Sequence, residues 1–226
     1  MKLHKYFWIA IIILVIQLAI VLWLGYSLPA ETRIPIHWNI KNEIDGYASR
    51  NVAVFPFWLF NLGLFLLMMF SARLSPVFQQ NRERYDAVIP PLTLVLVFFF
   101  ALFHIYMLLL GHYPWLEDKV QVIYILIGAL FICLGNILPR LPRNFIAGIK
   151  TPWTIYSDEI WRRTSRLGGF SFVILGLLML VKGVFNLQAG WLNNTLMGLL
   201  VFLILGPVLY SFYLYQKMRK SDEVTK

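Results

Sequence analysis

Residues 6–28 read YFWIAIIILVIQLAIVLWLGYSL, a run without one charged side chain. A helix rises 1.5 Å per residue, so a hydrocarbon layer about 30 Å thick takes about 20 apolar residues to cross. Five further apolar stretches meet that length, from Val52 to Ala72, Val88 to Leu110, Val120 to Leu138, Leu167 to Leu187 and Thr195 to Tyr215. Lys2 and Lys5 precede the first run as they would in a signal peptide. The run is too long for a signal h-region, however, and Ser27-Leu28-Pro29-Ala30 is a poor cleavage site. The expected fold is an all-α membrane protein, a six-transmembrane helix bundle. An N-terminal helical hairpin region spans residues 1–87, and a four-helix region spans 88–226.

Composition points the same way. Of 226 residues, 59% are hydrophobic and 14% charged, against about 45–50% and about 25% in an ordinary soluble domain. A single globular core could not hide that excess, because much of any folded surface faces water. A water-soluble fold, a disordered tail and a disulfide-stapled module are excluded. The net charge of +9 would suggest nucleic acid in a soluble protein. Here the basic residues cluster at the ends of apolar runs, as they do where they fix orientation in a bilayer, and no direct nucleic-acid binding is expected.

Fifteen of the 20 Lys and Arg flank one side of the spans: Lys2 and Lys5, Arg73, Arg82 and Arg84, the group from Arg140 to Arg166, and those from Lys217 onward. Arg33, Lys41, Arg50 and Lys119 flank the other, and Lys182 lies within a span. The positive-inside rule then puts both termini in the cytoplasm of a multi-pass cell-membrane protein. Trp8, Trp23, Tyr26, Tyr113, Trp115, Trp191, Tyr213 and Tyr215 mark the interfaces, where amphipathic rings anchor. Cys133 is the single cysteine, which excludes an intramolecular disulfide and a Cys-based zinc site; a buried structural thiol is expected.

Helices in lipid associate through close packing of small residues. Gly169, Gly176 and Gly183 share one face of the fifth span, and Gly128 and Gly135 share one face of the fourth, so these two helices should approach closely. Pro56, Pro90 and Pro91 are read in first turns, and Pro207 as a bend inside the sixth helix. Gln17 and Asn61 read as interhelical hydrogen bonds and Lys182 as a snorkelling anchor, while His104 stays open between a structural and a functional role.

Two loops exceed what a helix connection needs. In the first, expected outside, Ile34-Pro35-Ile36-His37-Trp38 reads as extended, and Asn42 and Asp45-Gly46 read as turns. His37, Asn39 and Asp45 could converge as a polar site with Trp38 as a platform; chemistry alone favours the alternative, in which they satisfy turn backbone. The second, expected in the cytoplasm, runs from Pro139 to Arg166. Ser157 is a good N-cap with Asp158 and Glu159 in the first turn. Ile160, Trp161 and Thr164 share a face, and the segment reads as a surface amphipathic helix with Arg162, Arg163 and Arg166 near lipid phosphates.

The stretch from Gly135-Asn136 through Leu138-Pro139, Asn144, Gly148-Ile149-Lys150-Thr151-Pro152-Trp153-Thr154, Trp161, Thr164 and Gly168 resembles the SdpI family of bacterial multi-pass membrane proteins, whose pattern there is close to GIRTPWT followed by WxxTH. Pro35, His37-Trp38-Asn39 and Asp45-Gly46-Tyr47 resemble a small uncharacterised domain that often precedes it. Lys150 stands where Arg is usual, Ser165 where His is usual and Asn42 where Gly is common. The resemblance implies immunity against a secreted toxin peptide outside and sequestration of a transcriptional repressor inside, with the two motifs as candidate binding residues. A transporter or exporter of a small amphipathic compound or peptide is the alternative. No HExxH or Gly-x-Ser-x-Gly motif is present. His37 with Asp45 is a weak ligand set, so no enzyme activity, cofactor or metal is expected.

Overall fold

A computed structural model describes residues 4–39, 41–74, 82–187 and 190–224, with side chains for all of these except 72–74 and 221–224. Lys2, Lys226 and the Arg73 side chain, counted above, lie outside that set. Among the described residues, six helices are long and apolar enough to cross a membrane. They are α1 (Lys5–Ser27), α2 (Arg50–Leu74), α3 (Arg82–His112), α4 (Gln121–Ile137), α6 (Asp158–Val184) and α7 (Gly190–Val224), with a short α5 (Pro152–Tyr156) before α6. The chain is an all-α multi-pass membrane protein, with six membrane-length helices among the described residues.

The bundle is as helical as expected, but the first loop adds a β-hairpin, β1 (Arg33–Trp38) against β2 (Ile44–Ser49), antiparallel. The hairpin and the 139–157 loop stand at opposite ends of the bundle, here called the hairpin end and the basic end. Trp8, Trp23, Tyr26, Tyr113, Trp115, Trp191 and Tyr213 are all exposed, in keeping with interfacial belts.

Helices α1, α2 and α3 share two apolar clusters. Phe7, Ala10, Leu14, Phe65 and Val97 form the one nearer the basic end. Val21, Leu24, Leu28, Val54, Met107 and Leu108 form the other, which also takes in Ile34 and Ala48 of the hairpin. Between them lies a polar layer. His104 Nε2 stands 2.7 Å from the Ala53 carbonyl, which can only accept, so Nε2 carries the proton and Nδ1 is an acceptor. Gln17 Nε2–H donates to that Nδ1 at 3.1 Å. Asn61 Nδ2–H donates to Gln17 Oε1 at 2.9 Å and to the Val97 carbonyl at 3.1 Å. Gln17 and Asn61 therefore bond between helices as expected, and His104 is the pin that joins α3 to both.

The glycine seam is present. A Cβ on Gly128 would stand 2.8 Å from the Gly176 carbonyl oxygen, and one on Gly135 would stand 2.6 Å from that of Gly169. On Gly183 it would meet Ile125 at 2.7 Å. Backbone touches backbone along α4 and α6, which no larger residue permits.

Four expectations are corrected. Helices α2 and α3 start earlier than their hydropathy suggests, so Pro56, Pro90 and Pro91 lie past the first turn, inside the helices. Cys133 is exposed on the outer face of α4 rather than buried. Asp45-Gly46 lies in β2 rather than in a turn, because Gly46 pairs with His37. Lys182 is buried rather than snorkelling: its Nζ donates to the Leu187 carbonyl at 2.6 Å, in the turn that follows its own helix.

Candidate functional site

The first motif is the hairpin itself. Pro35 pairs with Tyr47, His37 with Gly46 and Trp38 with Ile44, with a bulge around His37. A Cβ on Gly46 would stand 2.8 Å from the His37 Cβ, so only glycine fits opposite His37. His37 Nδ1 meets Asp45 Oδ1 at 2.5 Å in an exposed pair. Asn39 builds the turn: its Oδ1 accepts from Lys41 N at 2.8 Å and from Glu43 N at 3.0 Å, and its Nδ2 donates to Glu43 Oε2 at 2.9 Å. Asn42 takes the left-handed conformation at φ 68°. His37 and Asp45 thus come together, while Asn39 is spent on the turn.

The hairpin leans on the mouth of the bundle and leaves a two-tier cleft. The upper tier, 680 Å³, is polar, lined by Lys41, Asn42, Glu117, Asp118, Val120, Asn193 and Asn194. The lower tier, 250 Å³, is apolar and descends between α4, α6 and α7 past Trp38, Tyr124, Met179, Leu196 and Leu200. Asn42, Val120 and Asn193 line both tiers. The floor is tied by Tyr124, whose hydroxyl donates to Asn42 Oδ1 at 2.7 Å and whose ring lies under Lys182 Nζ at 4.3 Å. Asn193, which lines both tiers, has its Oδ1 buried without a hydrogen-bond partner. A buried polar atom left unpaired is costly, so this cleft has capacity for a polar ligand group. Sequence reasoning singled out Trp38 as a candidate platform and Asn42 only as a turn residue, and it did not single out Tyr124 or Asn193. The available signal was the Asn193-Asn194 pair at the head of the last span.

The second motif mostly faces inward. Asn144 is fully buried and pins its own loop: its Oδ1 accepts from the Ile146 and Ala147 N–H groups, and its Nδ2 donates to the Pro142 and Ala147 carbonyls. Gly148 at φ 121° lies against the Trp161 ring, where a Cβ would approach to 2.8 Å. Trp161 Nε1–H donates to the Leu141 carbonyl at 2.8 Å. Thr151 caps α5 in a capping box with Thr154, and Pro152 takes the first helical position. Trp153 Nε1–H donates to Ser211 Oγ, and its ring rests on Phe212 of α7, with centroids 5.1 Å apart. Thr164 is buried, and its hydroxyl, like that of Ser165, has no partner. Lys150 is exposed, with Nζ 3.3 Å from the Phe145 and Ile146 carbonyls.

The expected surface helix at Ser157 is instead the first turns of α6, one unbroken helix. Ser157 caps it, Arg143 pairs with Asp158 at 2.7 Å, and Arg162 and Arg163 both pair with Glu159. Ile160, Trp161 and Thr164 are buried on one face, so packing against the loop holds the segment to the helix axis. Among the described residues, no group of three or more His, Cys, Asp or Glu could hold a metal ion.

Comparison with known proteins adds the kinship. The model of the SdpI/YfhL protein family matches residues 140–211, and that of a domain of unknown function, DUF1648, matches residues 12–61. The curated Immunity protein SdpI of Bacillus subtilis (strain 168) is 26% identical over 95 residues, which cover 42% of this chain and 45% of that relative. The match therefore spans less than half the length of the relative. No solved structure gives a significant match. Residues 140–211, which take in most of the 139–157 loop, all of α6 and much of α7, thus resemble the SdpI/YfhL protein family, and residues 12–61 ahead of them resemble DUF1648.

Proposed function

We propose that this chain is an integral membrane immunity protein that binds a membrane-active toxin peptide at its hairpin end, with that end outside the cell and both termini in the cytoplasm. The two-tier cleft carries the reading. Its apolar lower tier suits a large side chain, and its upper tier presents Lys41, Glu117 and Asp118 to a peptide backbone and its charges. The orientation rests on the gathering of Lys and Arg at the opposite end. The relative's name supports the immunity role.

In the same reading, occupancy of the cleft reaches the basic end through α7. That helix lines the cleft at Asn193 and Leu196 and holds Trp153 at Ser211. The loop around Lys150 and Trp153 is the surface on which a transcriptional repressor would be held.

The test is protection. Cells producing the chain are challenged with a panel of amphipathic membrane-active peptides, beside cells producing Leu196→Trp, which fills the lower tier. Protection by the wild type, and its loss in the variant at equal membrane abundance, is expected. No protection against any peptide, or undiminished protection by the variant, overturns the proposal.

A further inference from the structure

Helices α3 and α6 have 31 and 27 residues, about 46 and about 40 Å long at 1.5 Å per residue. Both outrun a hydrocarbon layer of about 30 Å. Their apolar parts begin only near Val88 and Leu167, so it is the first turns, at the basic end, that stand proud, and these form the walls of a second cleft, of 560 Å³, closed by the 139–143 turn. Four arginines line it: Arg84 from α3, Arg140 and Arg143 from the turn, and Arg162 from α6. Asp158 is the single carboxylate among the lining residues, and Arg143 already occupies it. Arg162 is paired with Glu159. Arg84 and Arg140 have no carboxylate partner among the described residues, and the neighbouring Glu83 and Asp86 do not line the cleft.

The floor of this cleft is apolar and continues downward. Leu141 lines it and also lines a groove of 230 Å³ that runs past Leu92, Leu96, Leu134 and Phe172, inside the membrane-spanning parts of α3, α4 and α6. The groove is almost wholly apolar, and at that depth only hydrocarbon is on hand to fill it. An anion-binding mouth set directly over an apolar groove, with the step between them at the membrane surface, matches one class of molecule.

We propose that this cleft is a binding site for an anionic phospholipid, with the headgroup phosphate between Arg84 and Arg140 and an acyl chain in the groove below Leu141. Arginine suits the headgroup because its planar fork gives phosphate two parallel hydrogen bonds. The site is separate from the hairpin-end cleft, and the inference does not rest on the immunity reading.

The purified full chain, stripped of lipid in a neutral detergent, is offered equal amounts of phosphatidylglycerol and phosphatidylcholine, and retained lipid is counted by native mass spectrometry. A preference of about tenfold for phosphatidylglycerol is expected. Arg84→Gln with Arg140→Gln should abolish the preference, whereas Lys217→Gln with Lys220→Gln, at the same end but outside the cleft, should keep it. Leu96→Trp should reduce retention of phosphatidylglycerol by blocking the groove, and circular dichroism checks that each variant is folded. Equal retention of the two lipids by the wild type overturns the proposal. So does equal loss of preference in both charge variants, or full competition by soluble glycerol phosphate, which would show an anion site without a lipid.

Discussion

The ammonium of Lys182 stands 4.3 Å from the centre of the Tyr124 ring, and the hydroxyl of that tyrosine donates to Asn42 at 2.7 Å. One side chain of α4 thus connects the end of α6 to the tip of the hairpin. The hairpin is bound to the rest mainly through Ile34 and Ala48, which lie in the cluster with α1, α2 and α3. Tyr124 is its tie to the other helices. In Tyr124→Phe the ring stays beneath Lys182 while the hydrogen bond is lost, leaving Asn42 Oδ1 to water. A cost of about 1 kcal/mol is expected. It should appear as faster amide exchange over residues 38–44, with exchange over α1 unchanged.

The seam between α4 and α6 gives a second expectation with an internal control. Ala is normally favoured over Gly in a helix by about 1 kcal/mol. At Gly198 of α7 a Cβ would meet nothing within 4 Å, so Gly198→Ala should be neutral or stabilising. At Gly176 the same Cβ would stand 2.6 Å from the Gly128 carbonyl oxygen, so the helices must part. Gly176→Ala should lower the melting temperature in detergent, and Gly176→Leu should reduce folded yield. Equal behaviour at the two sites would remove the seam as a determinant of packing.

That seam was legible from the sequence because seven-residue spacing of glycine has one physical use in lipid. The spans and the basic end were legible for the same kind of reason, since hydropathy and Lys/Arg position act on the membrane directly. What stayed hidden depends on tertiary partners. Lys182 looked like a surface anchor because its distance from the helix end can be read but the Leu187 carbonyl beside it cannot. Asp45-Gly46 has turn composition, yet the pairing of Gly46 with His37 draws it into a strand. Tyr124 and Asn193 are ordinary residues in apolar runs, and only the cleft between three helices gives them a role.

The layer of Gln17, Asn61 and His104 should hold α1–α3 in register. Replacing His104 by Leu leaves the Gln17 amide without its acceptor and frees the Ala53 carbonyl inside the bundle. Unpaired buried groups cost about 1–3 kcal/mol each, although polar contacts in membrane proteins average nearer 0.6. A loss of about 1–2 kcal/mol is therefore expected for His104→Leu, less than the sum of two unpaired groups because Gln17 still accepts from Asn61. The triple change of Gln17, Asn61 and His104 to Leu leaves fewer polar groups unpaired and should be no worse than the single one. Thermal unfolding of the two variants in one detergent decides this. A triple variant far less stable than His104→Leu would mean that the layer stabilises the fold in its own right.

At the basic end, Gly148 and Trp161 fix the loop on α6. The backbone there has φ 121°, and a Cβ would stand 2.8 Å from the indole ring. Gly148→Ala meets both obstacles, an unfavourable backbone conformation and a displaced Trp161, whose Nε1–H also holds the Leu141 carbonyl. A loss of about 1–3 kcal/mol is expected, with a change in tryptophan fluorescence as the ring moves toward water. Lys150→Arg, two residues on, keeps the charge at an exposed position and should leave both stability and fluorescence unchanged. If Gly148→Ala proved as mild as Lys150→Arg, the loop would have to be held by the Asn144 and Trp153 contacts alone, and the glycine of the motif would have to be explained by something that binds the loop.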